Sequence, residues 1–195
     1  MKKIIRSIKE TANKHSSGRI ILFFFIVTHI IYGIMLVFTI PKVMQYSGGM
    51  KILDMLPTGY SANYVQELFA ALGEAGRSTY LFQQIPLDLF YPGLFAITYT
   101  LLLTLIFKTI FQKENKFRIL SLTPIFAGAF DYFENIGIII MLTIYPTFKP
   151  WLSSLTNIFS VLKSFSITFV FIVLIIAIIA LITQKIRNHG KAPRY

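Results

Sequence analysis

Four apolar runs, residues 20–40, 89–107, 119–145 and 165–182, divide this chain of 195 residues and set what it can fold into. A helix rising about 1.5 Å per residue needs about 20 residues to cross the ~30 Å hydrocarbon core of a bilayer. All four runs are long enough, and the third has length to spare for tilt. The chain is 55% hydrophobic, carries 19 Phe and is only 14% charged, which is too apolar for an ordinary soluble domain. Period-two alternation is absent, which argues against a β-barrel. The expectation is an all-α polytopic membrane protein with four transmembrane helices in one bundle. We place the spans at about 20–40, 87–107, 119–145 and 155–183, with an outer loop at 41–86 and basic tails at 1–19 and 184–195. No internal repeat is visible, so one domain over 1–195 is expected rather than an inverted-repeat transporter.

The net charge is +11. Its distribution matters more than its size. Lys2, Lys3, Arg6, Lys9, Lys14 and Arg19 precede the first run. Lys108, Lys113, Lys116 and Arg118 lie between the second and third, and Lys185, Arg187, Lys191 and Arg194 follow the fourth. The other two connections carry Lys42, Lys51, Arg77 and Lys149, with Lys163 at the start of the fourth run. Excess Lys and Arg mark cytoplasmic segments, so both termini are expected inside. The basic residues then set topology and meet lipid headgroups, and nucleic acid is not an expected partner. The first run is too long for a cleaved signal peptide and lacks a small-x-small cleavage site, so it reads as a retained helix. The many Ile, Lys, Phe and Asn residues fit an AT-rich genome, and a multi-pass protein of a prokaryotic cell membrane is expected.

There is no cysteine, which excludes thiolate catalysis, disulfide exchange and cysteine metal sites. P-loop, serine-elbow and selectivity-filter signatures are absent too, and so is H-E-x-x-H. No cofactor and no metal are expected.

In the outer loop, "SGG" and "LPTGYS" are turn signals. Val65, Leu68, Phe69 and Leu72 then form one apolar helical stripe. Asn63 with Gln66 resembles a capping box, and Gly73 and Gly76 are expected to end this short amphipathic helix. It would lie on the membrane surface or cover the bundle. Pro86 suits the first turn of the second span. Ile4, Ile5, Ile8 and Ala12 give the N-terminal arm a weak apolar face.

The polar residues inside the spans are the candidates for function. "FDYFENIG" places Asp131 and Glu134 three positions apart inside the third run. A charge at that depth costs about 3 kcal/mol on insertion scales, so such residues face the bundle and find partners there. Pro124, Ala127, Gly128, Asp131, Glu134, Asn135 and Ile138 share one face, while Phe126, Phe130, Phe133 and Ile140 fall mostly on the other. His29, Tyr32 and Gly33 share a face of the first span, and Asp88, Tyr91 and Pro92 one of the second. Ser153, Thr156, Asn157, Ser160, Lys163 and Ser164 form a polar stripe ahead of the fourth run, so that helix is expected to begin near Trp151.

These stripes would line a polar cavity in the outer half of the bundle. Asp131, Glu134 and His29 are its candidate catalytic groups, because paired carboxylates and an imidazole can hold and pass protons. The acids could instead attract a cationic ligand or stabilise positive charge. Asn135, Tyr91, Asp88, Tyr32, Lys163 and Ser160 are candidate ligand contacts. Arg77 in "GRSTY" is another, since its planar fork suits a phosphate or carboxylate at the mouth. Against this stands a structural reading, in which Asp131 pairs with His29 or Glu134 with Lys163 and the pair fixes helix register.

"THIIYG" and "LDLFYPGLFAITY" give a layout that resembles the EXPERA group, which includes emopamil-binding sterol isomerases. That resemblance implies four membrane helices, a long first loop, acids around an apolar cavity, and sterol-like or cationic amphiphilic ligands. It assigns no role to any single residue. The residues themselves fit a protein that binds or modifies a lipid-like or amphiphilic molecule, without deciding whether it is an enzyme. They also fit a small proton-coupled transporter subunit, or an accessory or immunity-type membrane protein with structural acids. Expected partners are membrane lipids, an amphiphilic ligand, and a second copy or another membrane protein.

Overall fold

The computed structural model describes residues 2–111 and 115–189, without the side chains of 2–5 and 189. Lys113, Lys191, Arg194 and the side chains of Lys2, Lys3, Ile4 and Ile5 therefore lie outside the described residues. Those described fold as helices and loops. Helix α1 is Lys2–His15, and α2 is Gly18–Ile34. A π-turn, Met35–Thr39, carries α2 into α3, Ile40–Tyr46. A 3-10 turn at Leu53–Met55 precedes α4, Ala62–Thr79. A second π-turn, Tyr80–Gln84, leads into α5, Ile85–Ile110. After a 3-10 segment, Lys116–Leu122, come α6, Thr123–Ile144, and α7, Pro150–His189.

Four continuous stretches are long and apolar enough to cross a membrane: Gly18–Tyr46, Ala62–Ile110, Lys116–Ile144 and Pro150–Asn188. The all-α, four-helix architecture expected from the runs is the one found, and we read the chain as a multi-pass membrane protein. Helix α7 starts at Pro150, because the polar stripe ahead of the apolar run is already helical.

Helix α6 is the centre of the bundle and packs on both α7 and α5. Its buried residues include Pro124, Ala127, Gly128, Asp131, Glu134, Asn135 and Ile138, while Phe126, Phe133 and Ile140 are exposed. The stripe read from spacing is thus the packed face. Small residues bring the backbones together, which matters in lipid because burying apolar surface gives helices little reason to associate there. A Cβ built on Gly128 would lie 2.8 Å from the Pro92 carbonyl oxygen of α5, and one built on Gly137 would run into the Thr156 side chain of α7.

At the end of the bundle away from the termini, a cap closes over the helices. Val65, Leu68, Phe69 and Leu72 of α4 are buried with Val43, Ile52 and Leu53. The cap of α4 is Ser61, whose hydroxyl accepts from the Tyr64 N–H at 3.1 Å, and not the expected Asn63. Gly73 breaks the helix at φ 61°, a backbone angle that suits glycine. Gly76 does not end it. A Cβ there would lie 2.6 Å from Tyr46 Cβ, so Gly76 is a close-packing position instead. The chain beyond Gly73 stays helical through the π-turn into α5, so this helix begins well before Pro86.

Gly128 of α6 and Gly33 of α2 give a direct test of packing. Gly128→Ala should cost about 1–3 kcal/mol, because a backbone carbonyl cannot move aside as a side chain can. Gly33→Ala in α2, where an added Cβ meets nothing within 4 Å, should be neutral or mildly stabilising. Thermal unfolding of both variants in one detergent measures the difference.

Candidate functional site

Helix α6 sets Asp131 and Glu134 one turn apart on its packed face, and α7 lays Ser153, Thr156, Ser160 and Lys163 opposite them, all buried. The Lys163 ammonium lies 3.3 Å from Asp131 Oδ1 and forms a second ion pair with Glu134 Oε2. Ser160 donates its hydroxyl proton to Glu134 Oε1. The Tyr60 hydroxyl lies 3.2 Å from the same Ser160 oxygen, and Tyr60 is anchored by its backbone N–H to Asn157 Oδ1 at 2.7 Å. Burial above all pushes the Tyr60 hydroxyl well above the ordinary phenol range, so it stays protonated. Lys163 is therefore turned into the bundle and not toward solvent. It is 8% exposed, between carboxylates that are 4% and 0% exposed.

Beside this cluster lies a cavity of about 360 Å³. Asp131 and Lys163 form part of its wall, with Asp88 and Tyr91 of α5 and His29 and Tyr32 of α2. The Tyr32 and Tyr91 rings stack at 5.3 Å. His29 donates Nδ1–H to the Phe25 carbonyl at 2.8 Å, which leaves Nε2 facing the Tyr99 hydroxyl at 3.5 Å. It does not pair with Asp131. Glu134, Ser160 and Asn135 stand behind the wall. The Asn135 amide donates to the Asp88 carbonyl at 2.9 Å and so ties α6 to α5.

Arg77 is elsewhere. Its guanidinium donates to the Phe69 carbonyl at 2.7 Å and lies 3.9 Å from the Tyr145 ring centre. The break at Gly73 sets Phe69 one turn before it and Arg77 one turn after, so the arginine ties the two halves of α4 together. Helix α4 does not line the cavity either. The loop residues Asp54, Met55 and Pro57 cover that end instead.

Asp54 is the functional candidate that spacing did not reveal, because it lies in a loop where no period applies. Its signal was "ILDML", an acid inside an apolar run. Ile52 and Leu53 are fully buried, and they pull Asp54 inward. Its Oδ2 accepts from the Tyr80 hydroxyl, and its Oδ1 has no partner. Four of the chain's eight acids, Asp54, Asp88, Asp131 and Glu134, thus converge within electrostatic reach of one another. Among the described residues Lys163 is the cation that pairs with this group, and its two ion pairs go to Asp131 and Glu134. Asp88 is 3% exposed and makes no ion pair among the described residues, and its carboxyl meets that of Asp54.

The cavity has a side entrance. Helix α2 packs on α5, and α7 packs on α6 and α5, but α2 and α7 have no comparable contact with each other. Tyr32 and Leu36 on one side, and Thr168 and Phe171 on the other, line the cavity while remaining exposed on the bundle surface. For a membrane protein that surface faces lipid. Among the described residues, no group of three or more His, Asp or Glu is placed to hold a metal ion.

Compared with known proteins, the chain matches no family model, no curated protein and no solved structure. No family is therefore assigned to the chain, the EXPERA group included.

The Lys163 cluster predicts a strong asymmetry between single and paired substitutions. Lys163→Met should destabilise by about 3–5 kcal/mol, because it leaves buried carboxylates unpaired. Adding Asp131→Asn and Glu134→Gln to it should restore much of that loss, as chemical unfolding in detergent would show.

Proposed function

We propose that this protein binds an amphiphile whose cationic head enters the acid-lined cavity and whose apolar part extends through the slot between α2 and α7 into the bilayer. One observation carries the reading: Asp88, buried and in no ion pair, beside Asp54 in the wall of a cavity that also carries Tyr32, Tyr91, Tyr99 and Phe171. A carboxylate in a low-dielectric setting gains most from a cation, because desolvation strengthens the attraction as well as the cost of going without. The Tyr32–Tyr91 stack adds ring faces that attract a cation. The slot gives the apolar part of the ligand a place that stays in lipid throughout.

On this reading the acids divide their roles. Asp131 and Glu134 hold Lys163 and shape the wall, and Asp88 with Asp54 recognises the head. His29, with Nε2 turned to Tyr99, is the group available to exchange a proton with a bound molecule, which is where a modifying reaction would be sought. Basic residues cluster at the end of the bundle that carries the termini, so the cavity end is the outer one, in a prokaryotic plasma membrane.

The test uses alkyl chains of one length bearing a trimethylammonium, an uncharged or a sulfate head. The ammonium compound should raise the thermal midpoint of the purified protein at concentrations at least about tenfold lower than the other two. Asp88→Asn should erase that preference while leaving the unliganded protein folded. Equal shifts by all three heads, or an unchanged preference in Asp88→Asn, would overturn the proposal.

A further inference from the structure

At the other end of the bundle, α1 roofs a groove of about 770 Å³ whose lining is almost wholly apolar. Its floor and walls come from α2, α5 and α6, with Phe23, Phe24, Ile97 and Leu101 among them. Helix α1 is fixed over it. Ala12 packs with Ile21 and Leu101, and the Lys108 ammonium of α5 donates to the Asn13 carbonyl at 2.6 Å and the Ser16 hydroxyl at 3.2 Å.

One edge of this groove is polar in a regular way. Ser7, Thr11, His15 and Arg19 recur every fourth residue, and all four line it. Ser7, Thr11 and His15 form one stripe along α1, and Arg19, in the first turn of α2, continues the same edge across the turn at Ser16 and Ser17. All four side chains are exposed, and among the described residues His15 and Arg19 have no side-chain hydrogen bond or ion pair. Glu10, the acid on α1, is taken by Arg6 at 2.8 Å and does not line the groove. A row of donors ending in a guanidinium thus borders a slot that only an apolar chain would fill.

We propose that this groove is a binding site for an anionic phospholipid. One acyl chain lies beneath α1, and the phosphate is held by Arg19 and His15, with Thr11 and Ser7 donating to headgroup oxygens. The charge selects the lipid: a guanidinium makes paired, charge-assisted bonds to phosphate, and nothing acidic at the rim opposes them. The amphipathic α1 already belongs at the headgroup boundary, with its apolar face turned to the acyl region. This site is separate from the acid-lined cavity and does not depend on it.

The test titrates the full-length protein in detergent with phosphatidylglycerol or with phosphatidylcholine of identical chains. Native mass spectrometry reads retained lipid, and thermal unfolding reads stabilisation. Phosphatidylglycerol should be retained at about tenfold lower concentration than phosphatidylcholine. Arg19→Gln combined with His15→Ala should remove this preference. Lys14→Ala, an exposed charge on α1 that does not line the groove, should change it less than about twofold. Ile97→Trp, which fills the groove, should weaken retention of both lipids. Equal retention of the two lipids by the wild type would overturn the proposal. So would a loss in Lys14→Ala as large as that in the Arg19 variant, which would mean diffuse attraction to the basic surface, or full retention in Ile97→Trp. If the double variant is not monodisperse, Arg19→Gln alone decides between the same outcomes.

Discussion

Lys163 supplies the positive charge that lets two acids sit inside the bundle. An unpaired carboxylate taken out of water costs several kcal/mol, and attraction to a cation offsets this only where the geometry is close and the remaining lone pairs are met. Here the ammonium reaches both Asp131 and Glu134, and Ser160 occupies the other Glu134 oxygen. The arrangement needs α6 and α7 in one register. A slip of α7 by one residue would set Leu162 or Ser164 in the place of Lys163 and leave the acids without their cation. Gly137 against Thr156 enforces the same register by contact. Charge and shape therefore agree on how the two helices meet, and α5 is added by Gly128 at Pro92 and by Asn135 at the Asp88 carbonyl.

With that core fixed, the polar features that remain are those the fold does not use. Asp88 and the free oxygen of Asp54 lie in the cavity wall, and His15 and Arg19 lie at the opposite end of the bundle. Their chemistries are complementary. The first offers negative charge among aromatic rings, and the second offers donors and positive charge beside an aliphatic slot. On the two proposals, each would take its ligand from the bilayer.

Much of the architecture was legible because a membrane span writes its length directly into sequence, and because polar residues in a helix must share a face. The stripes on α6 and α7 follow from spacing alone. The partner of each stripe does not: spacing turns Asp131 inward but cannot choose between His29 and Lys163, since that depends on which helices are neighbours. Asp54 stayed hidden because a 3-10 turn of three residues is too short to show a period. Arg77 looked like an anion contact from its place before a span. Its role came from the φ of Gly73, four residues earlier, which opens a backbone carbonyl that the arginine then fills.

The position of α2 has a mechanical consequence. This helix is fastened to α5 by the Thr28–Thr98 hydrogen bond at 2.8 Å and the Tyr32–Tyr91 stack, and it is not fastened to α7. Widening the slot therefore works against one seam of modest contacts, while the charged α6–α7 seam is left untouched. On the proposed reading, holding the fold together and admitting a guest fall to different joints. A molecule built this way can loosen one wall without putting the other at risk.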